Sequence, residues 1–403
     1  MRYRPRLANG KLVSLPWPIA MYRVLNPTVW PLEDTASRWD IFVERALLVF
    51  SFLTFLQHHA VDLNYLLDNL NDMDIMLTGM PTYLILVEIQ IRGFQLARHK
   101  AAFKRVLQKF YAEIYVPQAT ESNTYARIQR QMLGTRINSI MYIMALLNFF
   151  LVPIQNIIYH RREMLYKQLY PFDNTQLRFY IPLIGTNIFV GIIITTMLFG
   201  ELNVLGEILM HMNARYGQLG EHLRMTAKHL LAANTVDKGR IARQYRQALV
   251  QILRRNVELN NFGAQVEAQF SFRIFILFAF SAALLCALSF KSYTNPSANF
   301  TYIVWFVAKF LELLAFGMLG SILYKTTDEL GLMYYTSGWE QIVYHSSNVR
   351  ENVLLMKMLT LAIEINSQPF FLTGLKYFRV TLVAVVKIIQ GAFSYFTFLV
   401  SLR

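Results

Sequence analysis

Seven polar side chains near the end of the chain fall on one stripe when the stretch from Phe371 onward is drawn as a helix. They are Lys376, Arg379, Lys387, Gln390, Ser394, Thr397 and Ser401, at steps of three, four or eight residues. At about 3.6 residues per turn they share a face. Val383 and Phe398 lie on or beside it, while Val385, Val386, Ile388, Ile389, Phe393, Phe396 and Leu399 spread over the others. Charged and amide groups in hydrocarbon cost several kcal/mol unless they meet protein or water. A membrane helix that keeps them therefore lines water, and the chemistry it offers is the passage of ions through a pore.

Other chemistry finds fewer footholds. His58 and His59 adjoin an apolar boundary, and His222 and His229 stand seven apart on a basic segment. Neither pair gives a convincing metal set with carboxylate partners, so no metal site is expected. No Gly-rich phosphate loop, H-E-x-x-H or G-x-S-x-G occurs, so neither an enzyme nor a cofactor is expected. Cys286 is the single cysteine, which excludes an intrachain disulfide and a cysteine metal cluster.

The stripe needs a membrane around it, and the composition is consistent with one. The chain has 403 residues, of which 55% are hydrophobic and 14% aromatic, with a mean hydropathy of +0.32. That is more apolar side chain than a soluble domain of this length carries. The net charge of +14 is not read as nucleic-acid binding, because the basic residues gather between apolar runs, as an anionic inner leaflet would favour. The segment to Arg38 mixes Arg2, Arg4, Arg6 and Lys11 with prolines and tryptophans and has no apolar core, so no cleavable signal is expected. Seven apolar stretches reach the roughly 20 residues that cross ~30 Å of hydrocarbon. They lie near 40–60, 72–93, 137–158, 180–210, 271–292, 300–324 and 371–401. The expected fold is an all-α polytopic membrane protein with seven transmembrane helices.

Orientation follows from Lys and Arg in alternate connections. The N-terminal segment and the links 92–136, 211–273 and 325–376 hold 29 of them, while the other connections and the C-terminus hold 6. The positive-inside rule then puts the N-terminus in the cytoplasm and the C-terminus outside. This is the reverse of a G-protein-coupled receptor, the rival of a different class, which tags on both termini would separate. The sequon Asn299-Phe300-Thr301 falls on the expected outer side as a glycosylation candidate.

Two cytoplasmic links read as helices. Ile241, Tyr245, Ala248, Leu249, Ile252 and Leu253 recur at helical spacing, and 349–365 alternates Val353, Met356, Leu359 and Ile363 with Arg350, Glu351, Lys357 and Glu364. Pro369 ends the second. These segments are expected to extend the membrane helices into a cytoplasmic anchor bundle. The expected division is 1–39 as N-terminal segment, 40–324 as spans one to six with a ligand pocket in the outer half, 325–370 as anchor and 371–403 as the pore-lining helix.

The stretch from Trp339 onward resembles the C-terminal end of insect odorant receptors. Tyr335 and Trp339 form an aromatic approach, followed by Leu354-Leu355-Met356, Gln368-Pro369, Thr373-Gly374, Tyr377-Phe378 and the ending Ser394-Tyr395-Phe396-Thr397-Phe398-Leu399. A gustatory-type receptor of the same architecture would instead show a Thr-Tyr opening and a Gln-Phe ending. The resemblance implies a tetrameric ligand-gated, non-selective cation channel in the plasma membrane of a sensory neuron. In it an odorant-tuned subunit joins an odorant receptor co-receptor, and the last helix of each subunit contributes to the pore. This chain looks like the tuned subunit, since the enlarged second intracellular loop of the co-receptor is missing. By that likeness Phe398 stands at the hydrophobic gate and Ser401 nearest the outer mouth, where the co-receptor has a valine and a glutamine. Lys376, Arg379 and Lys387 on the stripe would repel cations by ~1 kcal/mol per pair at 4 Å in water. For Lys387 a pore-facing role and a snorkelled or acid-paired structural role both stay open.

The resemblance also implies a site for small volatile apolar ligands between spans two, three, four and six. Those spans offer Met76, Met80 and Tyr83, then Phe149, Phe150 and Pro153, then Thr186, Asn187 and Val190, and finally Tyr302, Trp305 and Phe306. Apolar burial and adaptable Met and aromatic walls would make the specificity broad. The expected partners are thus the co-receptor, a volatile ligand and membrane lipid.

Overall fold

The structure is a computed structural model that describes residues 1–159, 161–232, 238–294 and 300–401. Among the described residues thirteen α-helices follow one another: α1 Trp17–Leu25, α2 Arg38–Asp68, α3 Met73–Arg98, α4 Lys100–Lys109, α5 Ser122–Gln131, α6 Leu133–Ile158, α7 Leu177–Ala232, α8 Ile241–Thr294, α9 Phe300–Asp328, α10 Leu330–Tyr335, α11 Trp339–His345, α12 Val349–Ile365 and α13 Leu382–Ser401. A π turn, Phe110–Ile114, follows α4. The strands β1 Thr373–Gly374 and β2 Phe378–Arg379 pair antiparallel, Thr373 opposite Arg379.

Among the described residues seven helices have 20 or more residues: α2, α3, α6, α7, α8, α9 and α13. Length and composition suit five of them, α3, α7, α8, α9 and α13, for crossing a membrane. On α2, Val49, Phe50, Phe52, Leu53 and Leu56 are exposed, and on α6 Leu147, Leu151, Ile154 and Ile158 are. Such outward apolar faces suit hydrocarbon rather than water. The protein is a multi-pass helical membrane protein.

At 1.5 Å per residue, the 56 residues of α7 run about 84 Å, far more than the bilayer's ~30 Å. The surplus of α7 and the first half of α8 are clad by α10, α11 and α12. Here Tyr245 donates to Ser337 Oγ at 2.7 Å, Asn256 to Asn366 Oδ1 at 2.8 Å, and Arg246 pairs with Glu351 at 2.8 Å. The helical pattern at 241–253 is thus the start of one unbroken helix, and 349–365 is α12.

The last element corrects the sequence reading. From Phe371 to Thr381 the chain is not helical. Leu375 and Lys376 take left-handed backbone (φ 48° and 64°), Lys376 N–H donates to Thr373 Oγ1 at 3.1 Å and Val380 N–H to Leu372 O at 2.9 Å. The run folds back on itself because Gly374 lies against the Phe378 ring, where a Cβ would not fit. Lys376 and Arg379 are therefore off the stripe, and the Arg379 guanidinium lies 4.2 Å from the centre of the Phe371 ring. The N-terminal segment, for which the sequence reading named no element, contains α1, whose Tyr22 is fully buried against Gly200 of α7.

Candidate functional site

The helix α13 has two faces. Val385 and Ala392 are buried, Ile388 and Ile389 pack against the core, and Phe396 and Leu399 pack near Leu77, Ala287 and Phe290. Lys387, Gln390, Ser394, Thr397 and Ser401 are exposed on the opposite side, together with Val383 and Phe398. Once Lys376 and Arg379 are removed, the remaining stripe still runs the length of α13 and points away from the chain's own bundle. Lys387 has no ion-pair partner among the described residues.

Where α3, α6, α7, α8 and α9 meet, six charges are buried together. Arg92 binds Glu88 at 2.5 Å and Glu201 at 2.5 Å; Arg273 lies 3.1 Å from Glu201; Lys309 bridges Glu88 at 3.1 Å and Glu312 at 2.9 Å. Tyr142 donates to Glu312 at 2.7 Å. Every one of these carboxylates and cations is 5% exposed or less at its side chain. Three acids and three bases cancel, which is what lets such a cluster persist out of water. Arg92 and Arg273, counted with links in the sequence reading, belong here; without them the basic asymmetry is 27 against 6 and its direction stands.

Beside Tyr142 lies an enclosed cavity of about 50 Å³ between α2, α3, α6, α7 and α9. Its walls include Thr82, Ile85, Leu146, Val190, Gly191 and Trp305, with His58, Asp62 and Tyr166 forming a polar end. The segment between α6 and α7 closes this end. Leu169 N–H donates to Val61 O at 3.1 Å, and Tyr166 donates to Asn187 O at 3.3 Å. Gln168 Nε2 donates to both Asp62 Oδ1 and His58 Nδ1 at 2.9 Å, while its Oε1 accepts from Tyr170 at 2.8 Å. A larger groove of about 610 Å³ lies elsewhere, by the segment after α1, with Leu48, Phe52 and Phe94 of its wall exposed. Acyl chains are as apolar as that wall, so an open groove gives a small apolar ligand little preference over lipid.

Of the twelve residues anticipated for a ligand, Val190 and Trp305 line the enclosed cavity. Asn187 is fully buried one step away, and its carbonyl holds Tyr166. Thr186 spends its hydroxyl on Leu183 O at 2.8 Å, Tyr302 on Thr78 O at 2.9 Å, and Phe306 stacks on Phe310. Met76 and Met80 pack beside Leu77, Ala287 and Phe290, next to the end of α13, and Tyr83 meets His59 edge-on. Phe150 and Pro153 are half-buried on α6 away from the cavity wall. Phe149 and Asn299 lie outside the residues whose side chains are described. Missed in the sequence were His58, Asp62, Tyr166 and Gln168. The first two lie on α2, outside the expected set of spans, and the others on a connection whose fold no periodicity announces.

Comparison with known proteins bears on the family and the fold. The family model described as 7tm Odorant receptor matches residues 72–393. Odorant receptor 74a of Drosophila melanogaster is 63% identical over 402 residues, covering 100% of this chain and 99% of that protein. Odorant receptor 35a of the same species is 45% identical over 406 residues, covering 100% and 98%. The structure of the insect olfactory receptor OR5 from Machilis hrabei in complex with eugenol superposes with a TM-score of 0.77 at 13% identity, over 96% of this chain and 98% of that one. The fold is therefore that of an insect olfactory receptor, and the chain belongs to the odorant receptor family.

Proposed function

We propose that this odorant receptor is the tuned subunit of a heteromeric, ligand-gated, non-selective cation channel. It assembles with the odorant receptor co-receptor, as a tetramer, in the plasma membrane of a sensory neuron. The helices α2, α3, α6, α7, α8, α9 and α13 serve as the seven spans, with the N-terminus cytoplasmic, as the basic asymmetry supports. The odorant enters the enclosed cavity, which is where Val190 and Trp305 meet; the Machilis receptor, whose structure holds eugenol, lends this reading support by analogy.

The observation that carries the channel reading is the outward stripe on α13. A polar row opposite the packed face needs water or protein, and copies of α13 around a shared axis would give it a hydrated lumen. Phe398 then forms a hydrophobic constriction, and Lys387 lies deeper, in a wider vestibule where salt screens it. A ligand opens such a channel only by binding the open state better than the closed one.

Recording from cells that express the chain with and without co-receptor, against a panel of small odorants, tests this. Odorant-evoked cation current is expected only with both subunits, and Phe398→Ala should raise the basal current several-fold. A cysteine replacing Ser394 should react with aqueous thiol reagents during stimulation. An inert cysteine with unchanged basal current would reject the assignment of the stripe.

A further inference from the structure

The polar end of the enclosed cavity has a hydrogen bond left to give. His58 is 1% exposed and its Nε2 has no partner, although the residue lines the cavity. The neighbouring network sets which ring nitrogen carries the proton. The Gln168 amide nitrogen faces the Asp62 carboxylate, so its two N–H groups serve Asp62 and His58 Nδ1, and its oxygen takes the Tyr170 hydroxyl proton. His58 Nδ1 therefore accepts, and the proton of the neutral ring resides on Nε2. Nearby hydroxyls are already committed: Tyr142 to Glu312, Thr82 to Gly79 O at 2.6 Å and Tyr166 to Asn187 O. A buried donor without a partner has given up its bond to water for nothing, a loss that a ligand acceptor recovers on binding.

We infer that His58 Nε2 donates to an oxygen of the odorant, so that this receptor selects small alcohols, aldehydes and ketones over hydrocarbons of the same length. This rests on the enclosed cavity being the odorant site. The apolar remainder of the ligand lies along Ile85, Val190 and Trp305. The cavity's 50 Å³ is well below the roughly 300 Å³ at which small-molecule pockets begin. Uptake therefore needs Tyr166 and Leu146 to withdraw from Gly191, both of which stand close enough to crowd a Cβ there. A site built around a donor rejects an analogue without the acceptor more strongly than a plain apolar slot rejects a shorter chain.

The test compares 1-hexanol, hexanal and 2-hexanone with hexane and 1-hexene. Binding is read from tryptophan fluorescence of the purified receptor and co-receptor complex, and gating from currents in cells. In the wild type the oxygenated compounds should bind at least tenfold more tightly than the hydrocarbons. His58→Leu should erase that preference, read as the ratio of oxygenated to hydrocarbon binding within the variant, and His58→Gln, which keeps an N–H, should restore much of it. Equal binding of hexane and hexanol by the wild type overturns the inference without needing any variant to fold, as does a preference that survives His58→Leu. Oxygen-selective binding without any evoked current would instead sink the channel reading and leave this inference standing.

Discussion

Gly191 is the residue on which the cavity's size turns. A Cβ added there would meet Tyr166 Oη at 2.7 Å and Leu146 Cδ1 at 3.2 Å, both ends of movable side chains. Gly191→Ala should therefore fold and reach the surface, while shrinking the space for ligand. One methylene in an apolar pocket is worth about 1–3 kcal/mol, so half-maximal odorant concentrations should rise by roughly 10–200-fold, most for the longest chains. Unchanged dose-response curves across a chain-length series would place the ligand elsewhere. Residues of this kind were poorly legible in the sequence. Val190 and Trp305 could be named because they sit on apolar spans that the resemblance singled out, but the partners of His58 lie about 110 positions along the chain. Only the packing of the connection after α6 onto α2 joins them.

At the scale of elements, hydropathy located the long helices and periodicity located α12, because burial of an apolar face dictates both. It could not see that the final apolar run is two elements. Phe370, Phe371 and Leu372 are as apolar as a helix start, and the break depends on Gly374 and two left-handed residues that follow it. Two further glycines seat this region on α9: at Gly320 a Cβ would run into the backbone carbonyl of Val380 at the end of the hairpin, and at Gly317 into Val385 Cγ2 of α13 at 2.7 Å. Backbone cannot give way as a side-chain tip can. Gly320→Ala should thus push the base of α13 off α9, lowering surface expression or changing the basal current at least several-fold, whereas Gly185→Ala, where a Cβ meets nothing within 4 Å, should be close to neutral. Surface labelling and current recording on the two variants together check this, and equal behaviour would show that α13 does not depend on that close approach.

For the molecule as a whole, the six buried charges fasten four helices at one point, and the Tyr142 hydroxyl ties α6 to them. Glu88 with Arg92 and Lys309 with Glu312 are spaced to meet along one helix, but only the fold joins these pairs to each other and to Glu201 and Arg273, across gaps as long as 221 residues. Breaking one such pair leaves a naked charge and costs about 3–5 kcal/mol, more than its net contribution when intact. Lys309→Met, which strips both Glu88 and Glu312 of a partner, should lower the detergent melting temperature markedly and reduce surface expression. Adding Glu312→Gln returns the cluster to electrical balance and should recover part of the loss. If the double variant is as unstable as the sum of its parts, pairing by charge is not what holds the cluster.

The same α9 that supplies Trp305 to the cavity supplies Gly317 and Gly320 beneath α13, twelve and fifteen residues further on, or about 18 to 22 Å along one rigid strut. The walls contributed by α7 and by the connection after α6 lie off that strut. If the cavity takes the odorant and α13 lines the pore, as proposed above, odour preference can be rewritten on those walls while the contact of α9 with α13 is left as it is.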